Sequence, residues 1–515
     1  MYAYLVALTP DDGSLRDPEQ VALTPGDGPL RDPEQGSLSR RASRGVLLLL
    51  IRYFLVQLVG LAANIALSRL LSPQSFGIYA ITLVLLVLFS WISDFGLGAA
   101  LLQRRAALTQ SGLATVFTVQ QLVLGVLVVA TVVAAGPIAA TYRLGPDGVW
   151  FIRAMAFGGF LSSLKTVPTI VMERRLLYGR LTTIEVVEVL VFQLTAVGLA
   201  FLGFGTWSFI VAVLVSKFIG FAISLWLAGW TPGIALDRRA LVELLSFALP
   251  FQVIGLTNLG RDYMIPIMGG LLISTVEVGY LNWALALTAV PAQMAQVVGR
   301  VAFPSFSRMQ TDVVQLGRAV DASVRALFVV AVPTELMLIA LGPWLIEYVF
   351  SPKWEPALVP LYLLGLTWAG VSLTTPLVSV LNATGRVRAS MVVGVAWTLG
   401  TIVIAAFLVA RLGYIGFAVA MLVTRIAVSA ILIVLLRPMV PLRLWEQTRL
   451  PFAVGAAVAV AGALTVHYAR GSLLHLGALA AAMGFCYLGL LWVLEGSRLR
   501  DEFGNLVNQL GPVKR

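Results

Sequence analysis

Residues 205–217 read GTWSFIVAVLVSK and residues 413–425 read GYIGFAVAMLVTR. A glycine opens each stretch, an apolar run follows, and a lone cation (Lys217, Arg425) closes it. The offset is constant at 413 − 205 = 208. Two outlying matches share nearly the same offset. Gly179-Arg180 corresponds to Gly385-Arg386 at 206, and Phe76-Gly77-Ile78-Tyr79 corresponds to Val278-Gly279-Tyr280 at 202. A chain that repeats itself over about 200 residues is built from two homologous halves. Each half is long enough for about six membrane-crossing helices of about 20 residues. Six is an even number, so both halves insert the same way round, and transporters of this plan hold their substrate between the halves near the bilayer midplane.

Composition agrees with a lipid environment. Of 515 residues, 59% are apolar and only 12% charged, with 36 Lys and Arg against 25 Asp and Glu. Soluble domains carry about twice that charged fraction, so a soluble fold is excluded. One cysteine (Cys486) and two histidines (His467, His475) rule out a disulfide framework and leave no basis for a Cys/His metal or catalytic site. No metal, cofactor or nucleic-acid partner is expected.

The chain reads as an all-α polytopic membrane protein with about 14 transmembrane helices. Strand alternation is absent, which excludes a barrel. The first predicted span covers 46–70, the seventh 241–271, the eighth 276–299 and the ninth 326–349. Placing the N-terminus and every even-numbered loop in the cytoplasm puts 25 of the 36 basic residues there, against five (Arg69, Arg143, Lys353, Arg411, Arg470) on the other side. That asymmetry orients the protein with both termini cytoplasmic. Residues 6–20 recur almost unchanged as residues 21–35. This duplicated, acidic, Pro- and Gly-rich segment cannot bury enough surface to order itself. The expected organisation is a disordered cytoplasmic tail over 1–44, a six-helix bundle over 45–236, a second, pseudo-symmetric one over 237–440, and two C-terminal helices within 441–515.

Several short segments carry a family resemblance. Residues 67–80, LSRLLSPQSFGIYA, are similar to the ARLLSPxxFGxYA segment of bacterial polysaccharide-repeat flippases. Residues 93–97 (SDFGL), 102–104 (LQR), 301–310 (VAFPSFSRMQ), Lys353-Trp354 and residues 381–386 (LNATGR) follow in the order of that pattern. From about residue 45 to 440 the chain resembles the Wzx-like polysaccharide transporters, whose superfamily also holds lipid II flippases of the MurJ type and multidrug antiporters of the MATE type. The resemblance implies a flippase in the bacterial inner membrane. Its cargo would be an undecaprenyl-pyrophosphate-linked oligosaccharide repeat unit, carried by alternating access from the cytoplasmic to the outer leaflet for polysaccharide biosynthesis such as O-antigen or exopolysaccharide. No bond is broken in that task, so an enzyme is not expected. Membrane lipids and a polysaccharide polymerase with its export machinery are the implied partners. An ion-coupled multidrug exporter and a lipid II flippase stand as the alternatives, and a membrane glycosyltransferase is disfavoured by the short outer loops.

Hydroxyl groups cost about 4–8 kcal/mol each on entering hydrocarbon, so such a cargo needs a polar path. Ionisable residues at depth, each costing about 2.5–3.5 kcal/mol to insert, are the candidates for it. At about 1.5 Å per residue, Lys217 and Arg425 lie roughly 18 Å from the outer surface in equivalent positions of the two halves, and Glu335 lies roughly 15 Å from the inner one. Lys217, Arg425, Arg261 and Arg52 are the cavity candidates for substrate. Asp262, Glu335 and Glu188 are the ion-coupling or gate candidates. For each cation a buried carboxylate partner is the alternative. Arg261 and Asp262 project about 100° apart and are expected to face different neighbours. Lys165 and Asp94 read as anchors near the cytoplasmic surface, and tryptophans such as Trp283, Trp354 and Trp397 as an interfacial belt.

Overall fold

Hydrocarbon offers a backbone no water to bond to, so each N–H and C=O must find its partner within the segment or across a closed barrel. Among its described residues this chain takes the helical solution. The computed structural model describes residues 56–94, 110–175, 177–236, 259–469 and 471–510, and every regular element among them is helical. The expectations for residues 1–44, including the duplicated tail, lie outside the described residues, as does Arg52.

The first half contributes α1 (Val56–Leu70), α2 (Pro73–Asp94), α3 (Gln110–Thr141), α4 (Gly148–Leu164), α5 (Thr166–Arg174), α6 (Tyr178–Phe201) and α7 (Trp207–Ala228). A helical segment over 259–272, α8, includes a π-helical turn at Ile265–Gly269. Beyond it come α9 (Thr275–Arg308) and α10 (Val313–Trp344), the latter ending in a π turn at Leu345–Phe350. A 3₁₀ turn at Pro352–Ala357 leads into α11 (Leu358–Ala383), α12 (Val387–Leu412) and α13 (Ile415–Leu436). Last are α14 (Leu444–Tyr468) and α15 (Leu473–Leu510), which is kinked at Glu495.

Among the described residues eleven helices are long and apolar enough to cross a membrane. They coincide with eleven of the fourteen expected spans. The first and seventh expected spans run partly outside the described residues, and the eighth lies in α9, which is not among the eleven. The protein is thus an all-helical, polytopic membrane protein.

Packing gathers α2–α7 into one group and α9–α13 into another. The main contact between the groups runs along α2 and α9. Helix α14 lies against α10, and α15 against α14.

One boundary corrects the sequence reading. The ninth span was expected to begin near residue 326, with Arg318 and Arg325 in the preceding cytoplasmic loop. Instead the Asp312 carboxylate accepts from the N–H groups of Val314 (3.1 Å) and Gln315 (2.9 Å), and α10 starts at Val313. An acceptor at that position satisfies N–H groups that a first helical turn leaves unpaired. Arg325 is consequently helical and 3% exposed, and it is ion-paired with Glu495 at the kink of α15. This pair fastens the last helix to α10. Removing one partner of a buried pair leaves an uncompensated charge, so Glu495→Ala should lower stability by about 3–5 kcal/mol. Thermal unfolding of the detergent-solubilised protein measures this, and an unchanged midpoint would show the pair to be dispensable.

Candidate functional site

The repeat glycines identified in the sequence meet each other in space. A β-carbon built at Gly77 on α2 would stand 1.7 Å from the Thr275 carbonyl oxygen, and one at Gly279 on α9 would stand 1.9 Å from the Pro73 carbonyl oxygen. Only glycine lets the two helices approach this closely. Beside this crossing α1 is laced by side-chain bonds to α9 and to the turns that follow α10. Arg69 donates through Nε to the Val349 carbonyl at 2.6 Å and through Nη2 to the Tyr348 carbonyl. Lys353 donates to the Arg69 carbonyl at 2.8 Å. The indole N–H of Trp354 donates to the Ser68 carbonyl at 2.9 Å, and that of Trp283 to Ser68 Oγ at 3.1 Å. The two indoles stack with centroids 5.0 Å apart, Trp283 being 1% and Trp354 0% exposed. These contacts form a latch that closes one end of the bundle. They also correct the reading of Trp283 and Trp354 as interfacial belt: each has an N–H bonded inside the protein and a ring sealed in the core, so neither faces a headgroup.

Deeper than the latch lie two charged clusters. Lys217 and Arg425 each stand ten residues after the first residue of a 22-residue helix, α7 and α13 respectively. Their equivalence, read from the repeat, is kept in the structure. Lys217 Nζ lies 3.1 Å from Glu188 Oε2 on α6, and Lys165, at the junction of α4 and α5, bonds the other carboxylate oxygen. The carboxylate fits because α7 carries Gly220 opposite it, where a β-carbon would come within 1.8 Å of Oε1. Lys165 is therefore no surface anchor. The carboxylate draws it into the cluster, since an ammonium in hydrocarbon is most stable beside an opposite charge.

In the second half, Arg425 is 9% exposed, and its Nη1 donates to Thr374 Oγ1 at 3.1 Å. Its Nε is buried with no hydrogen-bond partner among the described residues. The guanidinium lies over the Trp397 ring at 4.2 Å, and Arg261 lies over the same ring at 4.9 Å. Arg261 in turn pairs with Asp262, Nε to Oδ1 at 2.9 Å. The expectation that Arg261 and Asp262 face different neighbours is thus corrected: the long arginine side chain spans the angular gap between adjacent helical positions. Trp397, read as belt, is instead a platform for two cations, an attraction of about 0.5–2 kcal/mol each.

Glu335 joins neither cluster. It sits on α10 opposite Gly365 of α11, 1% exposed, and neither carboxylate oxygen has a hydrogen-bond partner among the described residues. Among the described residues no His, Cys, Asp and Glu side chains gather as a metal-holding group. Thr374 escaped the sequence reading, and Trp397 carried no sign of its role beyond a belt, because neither residue type is unusual in an apolar helix. Lys165 carried a signal, a lone cation inside an apolar run, but its partner became visible only on folding.

Over residues 66–359, more than half of its length, the chain matches the family described as "Polysaccharide biosynthesis protein". The chain belongs to that family. It is 24% identical to the lipopolysaccharide biosynthesis protein WzxC of Escherichia coli K12 over 341 residues, which is 64% of this chain and 68% of that one. It is also 24% identical to the teichuronic acid biosynthesis protein TuaB of Bacillus subtilis 168, over 78% of this chain and 84% of the relative. Among solved structures, the lipid II flippase MurJ in an inward closed conformation superposes with a TM-score of 0.75 at 12% identity, covering 88% of this chain and 100% of that one. At that identity the likeness establishes a shared fold alone. In this polysaccharide biosynthesis protein the latch and the Lys165–Glu188–Lys217 cluster fall within the family match, whereas Trp397 and Arg425 lie beyond it.

The Gly77 contact predicts a specific defect. Gly77→Val should hold the latch open, because the added atoms would overlap the Thr275 carbonyl. With the exposed Cys486 replaced by serine, a cysteine at Ala80 should react with maleimide at least tenfold faster in the Gly77→Val background. Equal rates would show that the crossing tolerates a side chain.

Proposed function

We propose that the protein translocates an undecaprenyl-pyrophosphate-linked oligosaccharide repeat unit across the bacterial inner membrane, with the two helix groups alternating access to the cargo. The observation that carries this reading is the pair of charged clusters built about Lys217 and Arg425, which stand at equivalent mid-helix positions of the two halves. Two cations contact or neighbour one carboxylate in each: Lys165 and Lys217 pair with Glu188, with Glu185 one turn away also acting on Lys165, and Arg261 and Arg425 lie near Asp262. Burying a surplus positive charge in hydrocarbon is costly. An anionic cargo makes that cost worthwhile, and a pyrophosphate offers charge and acceptor oxygens to both clusters. The planar guanidinium of Arg425, with one N–H unengaged, suits two-point contact with phosphate oxygens, whereas the lysines act as point charges. The polyprenyl tail would remain in lipid. In this reading the basic-residue bias sets both termini in the cytoplasm, and the latch end faces outward. Glu188, Asp262 and Glu335 are the proposed ion-coupling or gate groups, Glu335 because its carboxyl group has no fixed partner. The membership in a polysaccharide biosynthesis family and the names of the relatives support a polysaccharide precursor over a drug or lipid II as cargo. A polymerase acting on the delivered unit is the proposed partner.

Deleting the gene should make the lipid-linked repeat unit accumulate and deplete surface polysaccharide. Normal polysaccharide with no accumulated intermediate would overturn the reading. A hydrogen bond to a charged group contributes about 1.5–3 kcal/mol. Complementation with Arg425→Gln should therefore restore polysaccharide about tenfold to hundredfold less well than the parent, measured at equal protein abundance.

A further inference from the structure

Between the latch and the charged clusters lies a cavity of about 210 Å³ bounded by both helix groups. Its place follows from helix register. Phe209 lines it on α7, eight residues before Lys217; Gln193 lines it on α6, five residues after Glu188; Tyr263 lines it on α8, two residues after Arg261. None of its lining residues is charged. What converges there is three carboxamides, Asn64 of α1, Gln193 of α6 and Asn282 of α9, facing an aromatic wall. In that wall Tyr79 stacks on Phe209 at 4.4 Å with the rings 13° apart, and Phe192 lies 6.2 Å from Tyr79 on another side. Asn282 spends one amide N–H on the Val278 carbonyl at 3.0 Å, which leaves its amide oxygen and second N–H for a ligand.

We infer that this cavity is a subsite for one uncharged sugar ring of the cargo, distinct from the cationic clusters that would hold the phosphates. The inference rests on the transport reading for its cargo. A sugar hydroxyl both donates and accepts, and a carboxamide does the same, so the three amides offer ring hydroxyls both kinds of partner, with Asn64 Oδ1 also accepting from Ser68 Oγ at 3.4 Å. The aromatic faces give the apolar side of the ring a surface to lie on, as in ligand pockets that are mostly apolar with a few placed polar groups. At roughly 30 Å³ per water the cavity has room for about seven waters, which matches a single ring and not a chain of them. A uronic acid or phosphorylated sugar would bring an anion into a space with no cation, an uncompensated desolvation. The charge pattern therefore selects for a neutral sugar at this position, with the anionic linkage one to two helical turns away.

Saturation-transfer NMR on the purified full chain in nanodiscs tests this. The probes are the methyl glycosides of glucose, galactose, mannose and N-acetylglucosamine, with methyl glucuronide as the charged comparison and a short isoprenoid alcohol as the apolar one. At least one neutral glycoside should give a signal at least tenfold stronger than the glucuronide. That signal should fall at least fivefold in Gln193→Ala/Asn282→Ala and be retained in Arg425→Gln. No signal from any neutral glycoside, an equal one from the glucuronide, a preference for the isoprenoid, or no loss in the double variant would each overturn the inference. Thermal unfolding of the double variant close to the parent excludes misfolding as the cause of a loss; Gln193→Glu, which adds an anion at constant shape and should abolish the signal, decides the matter if the double variant unfolds early. A bound glycoside alongside a deletion strain that accumulates no intermediate would place the failure in the transport reading and leave the subsite standing.

Discussion

Lack of water is the constraint on which the rest of this structure depends. In hydrocarbon every polar group must find its partner inside the protein. The backbone meets that demand by becoming helical wherever it is described. The charged side chains meet it by clustering: Lys165 and Lys217 share Glu188, Arg261 takes Asp262, Arg325 takes Glu495, and Arg425 rests on Thr374 and Trp397. Glu335 is the conspicuous exception, a carboxylate sealed between α10 and α11 with neither oxygen bonded among the described residues. An unpaired group of this kind persists where it serves something other than stability, and that is the ground for placing it among the proposed coupling groups.

The same constraint gives the latch its character. Two helices in lipid gain little from apolar contact as such, and small residues let their backbones come together. Gly77 and Gly279 are the corresponding residues of the two halves, and each packs against the backbone of the other's helix. One solution, duplicated with the chain, thus supplies both sides of the crossing. Ser68, Arg69, Lys353 and Trp354 then add bonds between side chains and main-chain carbonyls, most of them reaching about 280 residues along the sequence. An assembly of many modest polar bonds around a close backbone contact is strong when closed and can be opened by a shift of either helix, which suits the proposed alternation.

Charge and neutrality are also partitioned along the bundle. The cations lie at mid-helix in α7 and α13, and the amide-lined cavity lies between them and the latch. A cargo with an anionic linkage and an uncharged sugar presents the same succession of chemistries. The two halves hold their cations differently: lysines by a carboxylate in one, arginines on an indole in the other. The duplicated halves have therefore kept the position of the cation and diverged in how it is held.

The sequence by itself determined the class of the protein, the two-fold repeat, the eleven helices among the described residues that are long and apolar enough to cross a membrane, and the equivalence of Lys217 with Arg425. All of these follow from local composition and from offsets, which a linear chain carries in full. It also marked Glu188, Glu335 and the Gly77 and Gly279 segments, because a charge or a repeated glycine in an apolar run is legible without a fold. Only the tertiary structure decided which groups meet. Lys165 pairs with Glu188, Arg261 reaches Asp262, Trp397 seats two cations, and Trp283 stacks on Trp354 inside the core. Pairing in three dimensions depends on helix rotation and crossing, set by packing across many side chains at once. No residue's own identity records it.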